Sequence, residues 1–167
     1  MQHLTPGPEP RTRPALDAID AALTGALEDD GRMSNAALAR RVGIAESTCA
    51  DRVRGLRERG VVRGVHADID LAKVGLGVEA MVAVRFGGHV RDQVEAFRDA
   101  VTEVPGVLAA YNTSGANDFL VHVAAHGADA LRDLVLDQIA GRPGVVHAET
   151  SLIFEATRGR APLVPPS

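Results

Sequence analysis

The sequence is poor in cysteine: Cys49 is its only thiol. That excludes an internal disulfide, a cysteine zinc cluster and a CxxC redox pair. It also lacks any run approaching the roughly 18 consecutive apolar residues of a membrane span. The opening residues Thr5, Pro6, Gly7, Pro8, Glu9 and Pro10 carry no apolar stretch of signal-peptide type. A soluble, cytoplasmic protein without a membrane partner is therefore expected. Strong net charge is missing as well, since −4 over 167 residues points to no partner. What remains is ordinary globular usage, 46% apolar and 24% charged, enough for a real core in one or two domains.

The average charge conceals a split. Residues 34–64 hold seven basic groups, all arginine, against three acidic ones, whereas residues 65–155 hold six against thirteen. Such asymmetry suggests a nucleic-acid-binding part joined to something else.

Residues 1–14 mix Pro, Gly, Thr and Arg with little that is apolar, and they read as a flexible arm. From Asp17 onward, Ile19, Leu23, Ala26 and Leu27 recur at helical spacing, and Gly31 stops the helix. Ser34 suits the N-cap of a short second helix carrying Leu38, Ala39 and Val42, which Gly43 closes. A third helix is predicted from about Glu46 to Glu58, with Cys49, Val53 and Leu56 as its buried stripe and Gly60 beyond its end. Three short helices with a tight glycine turn before the third make a helix-turn-helix unit over 15–63. The alternating run Val61–Ile69 reads as an extended strand, a wing or the start of a linker over 64–78.

The remainder changes period. Four β-rich runs, 80–86, 107–113, 119–125 and 145–154, alternate with helical spacings at Val94, Phe97 and Val101 and at Leu131, Leu134, Val135 and Ile139. The order βαββαβ over 79–155 predicts a ferredoxin-like antiparallel sheet with both helices on one face, and residues 156–167 form a tail. The fold class is thus α+β, a winged helix-turn-helix domain followed by a ferredoxin-like domain. The repeated Pro-Gly-Val at 105–107 and 143–145 suggests an internal duplication. Neither face of strands 80–86 and 119–125 is properly polar, so another sheet is expected to pack on the open one, in at least a homodimer.

These residues resemble a known family. Leu16, Asp17, Asp20, Gly31, Arg32, Ser34, Leu38, Ala39, Val42, Gly43, Ile44, Cys49, Arg52, Val53, Leu56 and Gly60–Val62 are similar to the DNA-binding half of the Lrp/AsnC (leucine-responsive, feast/famine) transcription regulators. Gly75, the two Pro-Gly-Val repeats and Ser114, Gly115 and Asp118 resemble their effector-sensing half. The resemblance runs from Leu16 to Phe154. It implies a homo-oligomeric transcription regulator, dimeric or built from dimers into an octamer, that binds double-stranded DNA and a small effector such as an amino acid. Four departures stand out. Ala45 replaces the usual Ser or Thr N-cap of the third helix, so that helix is expected to start later or to lean on Ser47. Ala37 replaces a Glu, removing half a capping box, and Ser114 and Asn117 depart in the sensing loop.

On a helical wheel the face opposite Cys49, Val53 and Leu56 presents Ser47, Asp51, Arg54 and Glu58, flanked by Thr48. Ser47 and Thr48 can bond several bases, and Arg54 a guanine or a phosphate. Arg40, Arg41, Arg57, Arg59 and Arg63 are better placed on phosphates. Asp51 and Glu58 repel phosphate, so each needs an arginine partner or a cytosine amino group. Arg52, at the edge of the buried stripe, either braces the motif or touches the backbone. The candidate DNA contacts are Ser34, Ser47, Thr48, Asp51, Arg52, Arg54 and Arg63; the plainer alternative is a solvated arginine face. Cys49 reads as core filler.

In the loop 113–118, Gly115 permits close approach, Ser114 and backbone N–H groups can hold a carboxylate, and Asp118 can face an ammonium. The resemblance adds the start of the last strand, giving Ser114, Gly115, Asn117, Asp118, Thr150 and Ser151 as candidate effector contacts. The alternative is a hairpin rich in turn formers. No catalytic group, metal site or cofactor is expected. His122 and His126 lie about 13 Å apart on a strand, and His147 and Glu149 mark no nucleophile or base. Two rival readings remain: a siroheme-type tetrapyrrole decarboxylase of this architecture, casting Arg85, His122 and His147 as its side chains, and a sensing module with vestigial DNA binding.

Overall fold

The computed structural model describes residues 16–88, 91–157 and 159. They form two compact units that divide between Ala67 and Asp68, inside the expected linker. The proposed arm and the tail arginines Arg158 and Arg160 lie outside the described residues. No described helix is long and apolar enough to cross a membrane.

The first unit holds α1 (Ala18–Asp29), α2 (Asn35–Val42) and α3 (Glu46–Glu58). Each boundary has a local cause. Asp17 Oδ1 accepts the Asp20 N–H at 2.8 Å and starts α1, and Ser34 Oγ accepts the Ala37 N–H at 3.2 Å and starts α2. Gly43 ends α2 with φ +76°, its N–H returning to the Ala39 carbonyl. α3 begins directly at Glu46 with no side-chain cap from Ala45, so the later start and the support from Ser47 are not observed. Its first turn is held instead by the Cys49 N–H donating to the Ala45 carbonyl at 2.9 Å. The helices bury Leu23, Ala26, Leu38, Ala39, Cys49, Val53 and Leu56 between them, each large side chain contributing about 1.5–3 kcal/mol.

The run 61–69 forms no strand, which corrects the expected wing. Val61 and Val62 both donate their N–H to the Leu56 carbonyl and cover the helical core, so they terminate α3 rather than open a ladder. Val65 and Ile69 stay exposed. Alternation alone does not make a strand where no neighbouring strand takes up its backbone groups.

The second unit starts with a 3-10 turn at Ala72–Val74. It continues through β1 (Val78–Phe86), α4 (Arg91–Val101), β2 (Val107–Asn112), β3 (Phe119–Ala125), α5 (Ala128–Asp133) and β4 (Val145–Ile153). The strands lie in the order β2-β3-β1-β4, all pairs antiparallel, which is the predicted βαββαβ sheet. Ala80, Val82, Val84 and Phe86 of β1 and Phe119, Val121 and Val123 of β3 face the helices and meet Phe97, Val101, Leu131, Val135 and Ile139. Phe97 meets Phe86 edge to face and Phe119 at a tilt, at centroid distances of 5.4 and 5.0 Å.

After α5 the chain continues as a π-helix, Leu134–Ala140. In an α-helix each step of four residues over-rotates by about 40°. The wider π turn under-rotates, so the mixture keeps Leu131, Val135 and Ile139, spaced by four, on one face. Both Pro-Gly-Val segments are the same turn. Gly106 and Gly144 have φ +92° and +84°, and the Val107 and Val145 N–H groups return to the Val104 and Arg142 carbonyls.

Candidate functional site

On α3 the stripe opposite the core is Ser47, Asp51, Arg54 and Glu58 with Thr48 beside it, all exposed. Asp51 takes Arg54 as its ion partner one turn away, the arginine that an acid on this face requires. The other arginines divide into two groups. Arg41 is tied to Asp29, Arg52 to Asp17 and Asp20, and Arg59 to Asp20. Arg40, Arg57 and Arg63 are exposed and make no ion pair with another described residue. Arg52 therefore sits as a brace between α1 and α3, and Ser34 is engaged as the cap of α2.

Asp17 serves two partners at once. Its Oδ1 caps α1 and its Oδ2 meets Arg52. The Arg52 guanidinium first, then the Asp20 N–H, hold its carboxyl below the usual carboxylate range. Cys49 is fully buried, and desolvation, reinforced by Glu46, pushes its thiol up. That is the environment of an inert core cysteine.

In the second unit the connection between β2 and β3 closes on itself. Thr113 N–H donates to the Asp118 carbonyl, Thr113 Oγ1 to the Asn117 carbonyl, and Asn112 Nδ2 to the Asp118 carbonyl. Gly115, at φ +118°, makes the turn. Asp118 Oδ2 accepts the Phe86 N–H at 2.8 Å and so fastens the loop to the end of β1. Beside it opens a cleft of about 460 Å³ lined by Thr113, Asp118, Phe119 and the α4 side chains Arg91, Glu95 and Arg98.

The cleft gathers only part of the expected set. Asp118 lines it, while Ser114 and Gly115 are exposed on the loop and do not. Thr150 and Ser151 are neighbours on β4 and point to opposite faces. Thr150 pairs with Val82 on the helix side, in a separate recess of about 350 Å³ with Leu131 and Leu136, whereas Ser151 pairs with Met81 on the open face. These two side chains do not meet at one site. No site role is assigned from the sequence to Arg91, Glu95 or Arg98, where the available signal is a charged i, i+4, i+7 row beside the apolar stripe of α4.

The open face carries Glu79, Met81 and Ala83 on β1, with Leu120 and His122 on β3. His122 Nε2 lies 3.0 Å from Glu79 Oε2. Arg85 pairs in register with His147, and His122 stands opposite Met81, four residues along β1, so these three do not converge.

Comparison with known proteins agrees with this geometry. Residues 16–57 match the AsnC-type helix-turn-helix domain, and residues 79–163 match the Lrp/AsnC ligand binding domain. The chain is 45% identical to the HTH-type transcriptional regulator AldR of Mycolicibacterium smegmatis, over 89% of this chain and 86% of that one. It is 34% identical to a leucine-responsive regulatory protein of Rhizobium meliloti, over 87% and 94%. Among solved structures, a transcriptional regulator of Neisseria meningitidis in complex with L-Met superposes with a TM-score of 0.80 at 28% identity, covering 89% of this chain and 96% of that one. From its two matched domains and these relatives, the chain belongs to the Lrp/AsnC family and is a DNA-binding transcription regulator.

Proposed function

We propose that this regulator reads its operator with Ser47, Thr48 and Arg54, while Arg40, Arg57 and Arg63 hold the phosphate backbone. It responds to an amino acid bound at the cleft beside Asp118. The carrying observation is the partition on the helical unit: an exposed polar stripe lies opposite the buried one on α3, and three exposed arginines, Arg40, Arg57 and Arg63, make no ion pair with a described carboxylate. Phosphate contacts position a protein and base contacts specify the sequence. Asp51, oriented by Arg54, is available to a cytosine amino group.

At the cleft, α4 presents the Arg91–Glu95 ion pair (2.8 Å) and Arg98, itself paired with Asp99, while Asp118 lines the same space of about 460 Å³, which is large enough for a small zwitterion. An amino acid carries both charges, and a relative of this fold was solved with L-Met. Ser114 and Gly115 are exposed and Asn117 is half-buried on the adjoining loop, and on this reading a second copy brings them to the ligand. The half-apolar open face supports a homodimer built sheet against sheet. Effector binding regulates only if the DNA-competent and incompetent assemblies bind it unequally.

The test is binding to the protein's own upstream DNA and to an unrelated duplex across a salt series, with and without an amino-acid mixture. Selective binding that falls steeply with salt and changes with the mixture is expected. Equal affinity for both duplexes contradicts the reading, as does an affinity flat in salt. Asp118→Asn keeps an acceptor for the Phe86 N–H and removes the charge. It is expected to abolish the response to amino acids and to leave basal DNA binding unchanged.

A further inference from the structure

Among the described residues Asp20 is the single charged side chain that is buried, 8% exposed, although it lies on α1 and not on the DNA-reading helix. A carboxylate withdrawn from water is costly unless it is paired and hydrogen-bonded. Asp20 is satisfied on both oxygens by α3. Oδ1 accepts from Arg52 Nη1 at 3.0 Å and Oδ2 accepts from Arg59 Nη2. Arg52 also meets Asp17. These two arginines stand seven residues apart, Arg52 within α3 and Arg59 at its C-cap, almost two turns, so one buried anion grips the helix at two levels. Such a grip resists both rotation of α3 about its axis and sliding along it, which the apolar stripe of Cys49, Val53 and Leu56 does not do alone. It also occupies two guanidinium groups that otherwise add to the positive face.

The geometry points to Asp20 as a positioning residue for DNA reading. It holds α3 so that Ser47, Thr48 and Arg54 present in one register, and it keeps Arg52 and Arg59 off the phosphates. It acts through those arginines and touches no base. The inference rests on the DNA-reading proposal above, and it assigns opposite effects to specific and non-specific binding. Loss of the anion loosens the reading register, so preference for the operator falls. Release of Arg59 adds a phosphate contact, so binding to arbitrary DNA strengthens and becomes more salt-dependent by about one charge.

The experiment measures salt-dependent affinity of the full chain for upstream and unrelated duplexes in wild type, Asp20→Asn and Arg59→Gln. For Asp20→Asn a roughly tenfold fall in the operator preference is expected, about one mismatched base pair's worth, with a log–log salt slope on unrelated DNA steeper by about one. Arg59→Gln is expected to lower the preference and leave the slope unchanged, because Arg59 touches no phosphate in the wild type. A preference equal to wild type in both variants overturns the inference. So does a slope reduced by about one in Arg59→Gln, which makes that arginine an ordinary backbone contact. Should Asp20→Asn fail to fold by circular dichroism, Arg59→Gln decides alone, its side chain being 43% exposed. A wild type without operator preference overturns both readings, whereas a selective wild type with unaltered variants overturns only this one.

Discussion

Among the described residues, the helical unit closes over a core cluster of seven buried apolar side chains and joins its first helix to its third through one buried carboxylate, whereas the sheet unit has a core cluster of thirteen and buries no charge. A unit of roughly fifty residues gains little from burial, and the attitude of its third helix is, as inferred above, set by the ion pairs of Asp20 with Arg52 and Arg59. The sheet unit has two layers and an aromatic cluster, and its half-apolar second face is the one proposed for association. Reading is thus proposed for the part with the smaller core, and assembly for the part with the larger one.

The sharpest way to break the comparison is Phe119→Ala. Phe119 is buried against Phe86 and Phe97, and its truncation is expected to cost about 3–5 kcal/mol. In denaturant titration, helicity from the first unit should persist after the sheet transition has moved to lower concentration.

Glycine substitutions should act with opposite signs in the two units. At Gly106 a Cβ would lie 2.8 Å from the Ala124 carbonyl oxygen at a φ of +92°, so Gly106→Ala is expected to cost about 1–3 kcal/mol. Gly25 lies inside α1 with open space where a Cβ would sit. Gly25→Ala should stabilise the helical unit by about 0.8 kcal/mol. Thermal melts of both variants check the signs.

The smallest effect is on acidification. Asp17 titrates below its ordinary 3.8 because Arg52 and the Asp20 N–H favour its charged form. Its contribution is therefore complete above that value and is lost as pH falls through the lowered one. The melting temperature of wild type should drop more than that of Asp17→Asn over this interval, and parallel curves would remove Asp17 from the brace.

The helices were legible because their signals are local. Asp17, Ser34 and Gly43 cap where their chemistry demands, and Cys49, Val53 and Leu56 turn one face inward. The sheet order followed from the period change and the two Pro-Gly-Val turns. The run 61–69 misled because alternation registers side chains and says nothing of a neighbouring strand. The α4 wall of the cleft escaped because Arg91 and Asp118 are 27 positions apart, and only the fold brings them to one space. Thr150 and Ser151 were adjacent in sequence, yet the pleat separates them. The pairing of Arg52 and Arg59 with Asp20 spans 32 and 39 positions, so the sequence left Arg52 open between a brace and a backbone contact and placed Arg59 among the phosphate contacts.

The division between reading and positioning arginines is the central claim, and it is tested most directly by comparing Arg54→Ala with Arg57→Gln on upstream and unrelated DNA over a salt series. Arg54→Ala should lower operator preference by about 1–3 kcal/mol. Arg57→Gln should keep the preference, weaken both duplexes alike and reduce the salt slope by about one. Equal behaviour of the two variants would contradict the account, since α3 would then hold DNA by charge alone.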